Sequence, residues 1–349
     1  MQPTITRDVD IQSTVPLVTP KDLVNDLPAP PNVESTVAAG RNQVRQILNG
    51  TDSRFMVIVG PCSIHDEEAA LEYAERLYRY SQSLADRLVV VMRVYFEKPR
   101  TTTGWKGLIY DPHLDCSFDI EAGLRRARRL LLSLADMGIH AGTEFLDPIV
   151  PQYLADLVSW ATIGARTTES QTHRQMASGL TMPVGFKNGT DGNVQVAIDA
   201  AVCARSPHRF LGMDAEGRAA VIRTRGNPDP HLVLRGGKHG PNFNQAAITQ
   251  AQKQLREAGV SPRLLVDCSH GNSNKEHRNQ SSALIDVVNQ RMKGNKHIAG
   301  CMLESNLNPG NQRLEGNSSR LKYGVSITDA CIGWDETEEL LGWIHENAG

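Results

Sequence analysis

Eight short apolar runs alternate along the chain with amphipathic stretches, and each run ends on a cysteine, a histidine or a charged residue. Residues 55–60 lead to Cys62, 88–92 to Arg93, 139–143 to Glu144 and 161–165 to Arg166. Residues 183–186 lead to Lys187, 231–234 to Arg235, 264–268 to His270 and 297–303 to Glu304. Uninterrupted apolar runs of this length are the pattern of strands buried on both faces in a parallel sheet. Between them lie helical periodicities at 67–83, 120–137, 152–159, 172–180, 194–205, 244–258, 282–293 and 336–347. Parallel strands need helix-sized crossovers, so the alternation predicts an α/β protein, a (β/α)8 TIM barrel. In such a barrel the chemistry sits at the C-terminal ends of the strands, which is where the reactive residues fall.

Two segments break the repeat. Residues 1–50 carry Pro16, Pro20, Pro28, Pro30 and Pro31 before a short helical pattern at 37–48, and read as an arm outside the barrel. Residues 208–226 pair two short apolar runs around Asp214-Ala-Glu-Gly217, the signature of a β-hairpin inserted before barrel strand 6. The expected organisation is therefore an N-terminal extension (1–50) serving assembly or regulation, followed by one catalytic barrel (51–349).

Composition adds exclusions. At 349 residues, 40% hydrophobic and 22% charged, with a net charge of −2, the chain reads as an ordinary globular protein with no general affinity for nucleic acid or anionic membrane. No run approaches the roughly 18 apolar residues that would span a bilayer, and no secretory leader pattern opens the chain, so the expected location is the cytoplasm. The six scattered cysteines lack zinc-type or disulfide-framework spacing.

Sorted by chemistry, the strand ends form two groups. Cys62, His270 and Glu304, with Asp329 further along, offer a thiolate, an imidazole and two carboxylates. Taken singly, each reads as a buried small hydrophobe or an ion-paired group; together they suit a divalent transition metal with an open position. Arg93, Lys98, Arg100, Arg166, Lys187 and Arg235 form the second group. Like charges about 5 Å apart repel by roughly 3 kcal/mol at an effective dielectric near 20, so cations converging in one cavity call for an anionic ligand bearing phosphate or carboxylate. No Walker loop or dinucleotide fingerprint is present. The residues alone leave three readings open: a metal-dependent enzyme, a Schiff-base aldolase using Lys187, and a noncatalytic sensor of a phosphometabolite.

The motifs carry more. Gly60-Pro-Cys-Ser-Ile-His-Asp66, Arg93-Val-Tyr-Phe-Glu-Lys-Pro-Arg-Thr-Thr102, Gly164-Ala-Arg-Thr-Thr-Glu-Ser170, Gly185-Phe-Lys-Asn-Gly-Thr-Asp191, Leu234-Arg-Gly-Gly237, Asp267-Cys-Ser-His-Gly-Asn272 and Tyr323-Gly-Val-Ser-Ile-Thr-Asp-Ala330 occur in order. This series closely resembles the 3-deoxy-D-arabino-heptulosonate-7-phosphate (DAHP) synthases of the feedback-regulated type I class, essentially end to end. The resemblance implies a metal-dependent barrel that condenses phosphoenolpyruvate with erythrose 4-phosphate, opening the shikimate pathway to the aromatic amino acids.

By the same resemblance Cys62, His270, Glu304 and Asp329 are the ligands of one divalent transition metal, whether Mn, Fe, Co, Zn or Cu. Arg93, Lys98, Arg166, Lys187 and Arg235, with the backbone of Ala165, would bind phosphoenolpyruvate, and Arg100 and Thr101 the phosphate of the aldose. Lys98 and His270 are both candidates to deliver the proton to the alkoxide. The arm and hairpin resemble parts of an allosteric pocket for an aromatic amino acid, with Asp8, Asp147, Pro151, Gln152, Leu180, Thr181, Phe210, Gly212 and Ile222 at the matching positions. Phenylalanine-sensitive relatives tend to carry serine where Gly212 stands. Glycine leaves room for a tyrosine hydroxyl, and Pro148 with residues 206–212 also looks more like the tyrosine-sensitive isoenzymes. Tyrosine is therefore the expected feedback inhibitor, and a homodimer or homotetramer the expected assembly.

Overall fold

The computed structural model describes residues 7–8, 10–314 and 318–348. Residues 1–6 and 9 of the expected arm, and 315–317 and 349 of the expected barrel, lie outside the described residues. The helices α1 (Pro20–Asp26) and α2 (Pro31–Asn49) come first. Then follow β1 (Phe55–Gly60), α3 (Glu67–Gln82), β2 (Leu88–Arg93), α4 (Ile120–Met137), β3 (His140–Glu144), α5 (Pro151–Leu154), β4 (Trp160–Ile163), α6 (Gln171–Gly179), β5 (Val184–Lys187) and α7 (Gln195–Ala204). After β6 (Arg209–Met213) and β7 (Ala219–Arg223) come β8 (Pro230–Leu234), α8 (Gln245–Glu257), β9 (Leu264–Asp267), α9 (Gln280–Met292), β10 (Ile298–Glu304) and α10 (Trp334–Asn347).

Eight strands close into a parallel barrel in the order β1-β2-β3-β4-β5-β8-β9-β10, with β10 returning to β1. The expected (β/α)8 fold is thus observed, and the expected hairpin is the antiparallel pair β6–β7, placed between the fifth and sixth barrel strands. Register aligns the strand ends at one rim: Gly60 pairs with Glu304, Arg93 with Gly142 and Lys187 with Val233. Local signals set the helix boundaries. Asp66 caps α3 by accepting the Ala69 N–H at 3.1 Å, Asp119 caps α4 in the same way, and α4 stops at Gly138 in the left-handed conformation. Among the described residues no helix is long and apolar enough to cross a membrane.

Two apolar layers hold the barrel together. The outer one packs helices against the outward faces of the strands. The inner one joins Met56, Ile58, Val89, Val91, Trp160, Val233, Leu265, Ala299 and Met302 with Val44, Ile47 and Leu48 of α2. The helical pattern expected at 37–48 is therefore longer than anticipated and closes the bottom of the barrel. Arg41 pins it by donating to the carbonyls of Val158 and Ala155 at 2.9 and 2.6 Å, and Arg45 pairs with Asp229 at 2.8 Å. Upstream, the fully buried Arg128 binds Asp156 through both carboxylate oxygens at 2.8 Å and donates to the Leu27 carbonyl at 2.9 Å, fastening the end of α1.

His231, at the bottom of β8, makes stability depend on acidity. Its Nε2 accepts the indole N–H of Trp160 at 3.0 Å while its Nδ1 donates to the Asp229 carbonyl at 3.1 Å, so a second proton finds no acceptor. Burial pushes this imidazole down to about 4. The unfolded chain takes up a proton near pH 6.5 that the folded one refuses until about 4, so stability is full above the upper value and declines as pH falls through the interval. The loss reaches about 3 kcal/mol at the acid end. Urea unfolding at pH 7 and pH 4.5 measures it, and the His231→Gln variant is expected to show a shallower slope; equal slopes would contradict the assignment.

Candidate active site

The aligned strand ends bring the two chemical groups to one rim cavity of about 580 Å³. Arg93, Lys98, Arg100, Ala165, Arg166, Lys187, Arg235, His270, Glu304 and Asp329 all line it. Cys62 sits fully buried in its wall. Thr101 is exposed and is not among the lining residues.

On one side a donor atom from each of Cys62, Glu304 and Asp329 falls within a span of 4.8 Å. The His270 ring stands beside this trio, its Nε2 3.7 Å from Glu304 Oε1. His270 adopts a left-handed backbone with φ of 56°, an unfavourable conformation for a residue with a Cβ and one that clusters at functional sites. A soft sulfur, two hard oxygens and an imbibed imidazole nitrogen at one cavity wall fit a borderline divalent transition metal, and the set leaves room for a further ligand. Burial pushes the Cys62 thiol up, and nearby Glu304 adds to the effect. Burial would also raise Asp329, but Lys98 and His270 outweigh it and hold that carboxylate below its ordinary range.

Cations meet this wall directly. Lys98 Nζ lies 3.1 Å from both the sulfur and the carbonyl oxygen of Cys62. Burial alone would lower this ammonium, yet Cys62 and other neighbouring anions raise it, so it stays charged. Arg93 is completely buried. Its Nη2 donates to Glu304 Oε1 at 2.8 Å and to the Cys62 carbonyl at 3.2 Å, its Nε to the Pro61 carbonyl at 3.1 Å. Its guanidinium lies 3.5 Å from the ring centroid of Tyr95, and Lys98 and Lys187 each place Nζ 5.9 Å from the same centroid. The electron-rich ring face is a stabilising neighbour for three like charges.

Across the cavity, Lys187 donates to Asp267 at 2.8 Å. Among the described residues Arg166 and Arg235 form no ion pair, and burial, with Arg166 nearby, lowers Arg235 from its usual range. Two guanidiniums without carboxylate partners among the described residues, beside two lysines, make a candidate anion site. Arg100 is steadied by donating from Nε to the Trp105 carbonyl at 2.7 Å.

Three participants have no assigned role in the sequence reading: Tyr95, Asp267 and Glu144. Glu144 closes β3, and its buried Oε1 has no hydrogen-bond partner among the described residues. The chain at Gly164 passes directly over it, where a Cβ would come within 2.1 Å of Oε1. A side chain at 164 would push this carboxylate from its place. An ionisable group ending a buried strand was the signal for Glu144.

A second cavity, of about 570 Å³, lies between the hairpin and the barrel wall. Of the nine positions expected there, Pro151, Gln152, Leu180, Phe210, Gly212 and Ile222 line it, together with Pro148. Asp8, Asp147 and Thr181 do not. Asp8 is exposed and paired with Arg7, and Asp147 instead accepts the Tyr110 hydroxyl at 3.0 Å. The Thr181 carbonyl accepts from Arg45.

Fold and site together define the class as a (β/α)8-barrel enzyme in which a candidate mixed-donor metal site adjoins a cationic pocket. A family model described as the DAHP synthetase I family matches residues 31–342. The chain belongs to that family. It is 54% identical over 347 residues to the phospho-2-dehydro-3-deoxyheptonate aldolase, Tyr-sensitive, of Escherichia coli strain K12, covering 99% of this chain and 97% of that one. It is 52% identical to the Phe-sensitive aldolase of the same strain, over 96% of this chain and 95% of that one. The solved structure of the phospho-2-dehydro-3-deoxyheptonate aldolase from Francisella tularensis SCHU S4 superposes with a TM-score of 0.94 at 46% identity, covering 97% of this chain and 98% of that chain.

Proposed function

We propose that this chain condenses phosphoenolpyruvate and erythrose 4-phosphate with water, releasing DAHP and phosphate, and that its two rim clusters divide the work. The observation that carries the reading is their convergence in one cavity, where Lys98 of the cationic group stands 3.1 Å from the Cys62 sulfur. Arg166, Arg235, Lys187, Lys98 and Arg93, with the Ala165 backbone, hold phosphoenolpyruvate. Arg100 holds the aldose phosphate; Thr101, the next residue and exposed outside the lining, is assigned to the same phosphate by family resemblance. Cys62, His270, Glu304 and Asp329 hold one divalent transition metal, a role for which the donor set admits Mn, Fe, Co, Zn or Cu. When bound, such an ion supplies Lewis-acid polarisation of a carbonyl oxygen.

The residues then act in sequence. The cations fix both anions so that C3 of the enol faces the aldehyde carbon, a positioning effect worth several kcal/mol. As the carbon–carbon bond forms, the aldehyde oxygen gains charge and needs a proton. His270 has Nδ1 against Asp267 and Nε2 turned to Glu304, so we assign the proton to Lys98. Water adds at C2 and gives its proton to Glu144 Oε1, which has no hydrogen-bond partner among the described residues, and phosphate leaves by cleavage of the C–O bond. Lys187 is engaged as an ammonium by Asp267, a geometry unsuited to an imine-forming amine.

The test is phosphate release from the two substrates. Activity that requires both, and that a chelator abolishes and a divalent metal restores, is expected. Substrate-dependent trapping of Lys187 by borohydride with chelator-resistant activity would replace this reading with the Schiff-base one.

The cavity under the hairpin is the proposed effector site, with tyrosine as its ligand. Gly212 faces Ile222, and a Cβ there would meet Ile222 Cγ1 at 2.5 Å, so any side chain takes space from the ligand. Tyrosine is expected to inhibit, and Gly212→Ser to raise the half-inhibiting tyrosine concentration about tenfold, equivalent to 1.4 kcal/mol. Inhibition by phenylalanine or tryptophan with none by tyrosine would refute the assignment. On the far side of the hairpin, Leu211 and Val221 are 89% and 63% exposed. An apolar pair so displayed supports assembly into a homodimer or homotetramer, which light scattering measures. The proposed location is the cytoplasm.

A further inference from the structure

Asp267 ends β9 with a fully buried carboxylate that belongs to neither cluster and touches both. One oxygen, Oδ2, lies 2.8 Å from Lys187 Nζ in the anion pocket and 3.0 Å from His270 Nδ1 at the metal wall. The other, Oδ1, accepts from the Ser269 backbone N–H at 3.0 Å and from its hydroxyl at 2.6 Å. Ser269 Oγ is in turn 2.6 Å from His270 Nδ1. Strand pairing fixes the carboxylate further, because Asp267 stands opposite Met302 of β10, two residues before Glu304. A carboxylate held on both oxygens cannot swing to serve one neighbour without changing what it gives the other.

We propose that Asp267 is a positioning residue that links the two halves of the site: Lys187 and His270 share one carboxylate oxygen, so occupation of the anion pocket changes the strength of metal binding. The sign follows from the geometry. An anion that takes the Lys187 ammonium as its partner releases Oδ2 to the imidazole N–H. An imidazole whose N–H is held by a carboxylate is oriented, fixed in one tautomer and made a stronger donor at its far nitrogen. Phosphoenolpyruvate therefore tightens metal binding, and the metal tightens phosphoenolpyruvate binding by the same factor. This coupling rests on the proposed reading of the two clusters.

The experiment uses Mn²⁺ and phosphoenolpyruvate with metal-stripped full-length protein, free Mn²⁺ being followed by its electron paramagnetic resonance signal and no turnover being involved. In wild type, saturating phosphoenolpyruvate is expected to lower the Mn²⁺ Kd about fivefold or more. In Asp267→Asn the Mn²⁺ Kd is expected to rise by about 10- to 100-fold, with the effect of phosphoenolpyruvate collapsing toward none. Ser269→Ala retains the shared oxygen and is expected to keep the coupling. If Asp267→Asn fails to fold, Asp267→Glu keeps the charge but displaces the oxygens by a methylene, and the coupling is expected to shrink there too. Wild-type protein that binds both ligands with neither moving the other overturns the proposal, as does full coupling in the Asp267 variants. Wild-type protein that binds neither ligand overturns the underlying reading of the pocket, and the coupling falls with it.

Discussion

Lys98→Met is expected to lower kcat about 10³-fold while phosphoenolpyruvate still binds. General acid catalysis by a placed side chain contributes roughly 10²- to 10⁴-fold, and this ammonium also supplies charge where an alkoxide develops. Methionine keeps the length of the buried stem, so the loss falls on the charge rather than on packing. The charge matters because Nζ is set 3.1 Å from the Cys62 sulfur and its neighbours Glu304 and Asp329 are anionic. Because those anions hold the lysine above its ordinary range, its acid form persists through neutral pH. Steady-state kinetics with separate measurement of phosphoenolpyruvate binding distinguishes the roles. A kcat within tenfold of wild type would remove Lys98 as the proton donor and return that role to His270.

Arg93→Met is expected to destabilise the protein by about 3–5 kcal/mol, the usual consequence of leaving one member of a buried ion pair behind. Glu304 is 2% exposed and would keep a carboxylate facing no cation at 2.8 Å, while the Pro61 carbonyl would lose its donor and the Cys62 carbonyl would keep only Lys98. The double variant Arg93→Met with Glu304→Gln removes both charges and is expected to recover a large part of the lost stability, although not activity. Urea denaturation of the two variants and wild type checks this. Equal stability of the single and double variants would mean that the damage comes from the lost carbonyl contacts and not from the stranded carboxylate.

Much of this was legible along the chain because barrel strands buried on both faces leave long apolar runs, and barrel geometry then dictates that the residue ending each run faces the rim. Cys62, Arg93, Lys187 and Glu304 could be placed in that way. Asp329 could not, since it lies on the loop after β10 and ends no strand; only the motif around it pointed to a ligand. Asp267 was hidden for a different reason. It sits inside an apolar run, and the groups that give it meaning come from β5 and from the turn after β9, a proximity that barrel closure creates. Asp8, Asp147 and Thr181 were carried over from resemblance to a pocket; they do not line the cavity within this single chain, where Asp8 pairs with Arg7 and Asp147 accepts from Tyr110. The length and placement of α2 were obscured by the prolines preceding it, which read as an arm, whereas Pro31 opens the helix.

The position of α2 has a consequence for the order of events during synthesis. Val44, Ile47 and Leu48 leave the ribosome early, and of the layer they join Met56, Ile58, Val89, Val91 and Trp160 follow in the first half of the chain, whereas Val233, Leu265, Ala299 and Met302 arrive in its last third. At about 5–20 residues per second, the apolar face of this helix waits on the order of tens of seconds for its seat to be completed. During that interval the nascent chain offers a ready target for chaperones or for its own neighbours. The last barrel strand to be made thus completes the seat for one of the first helices.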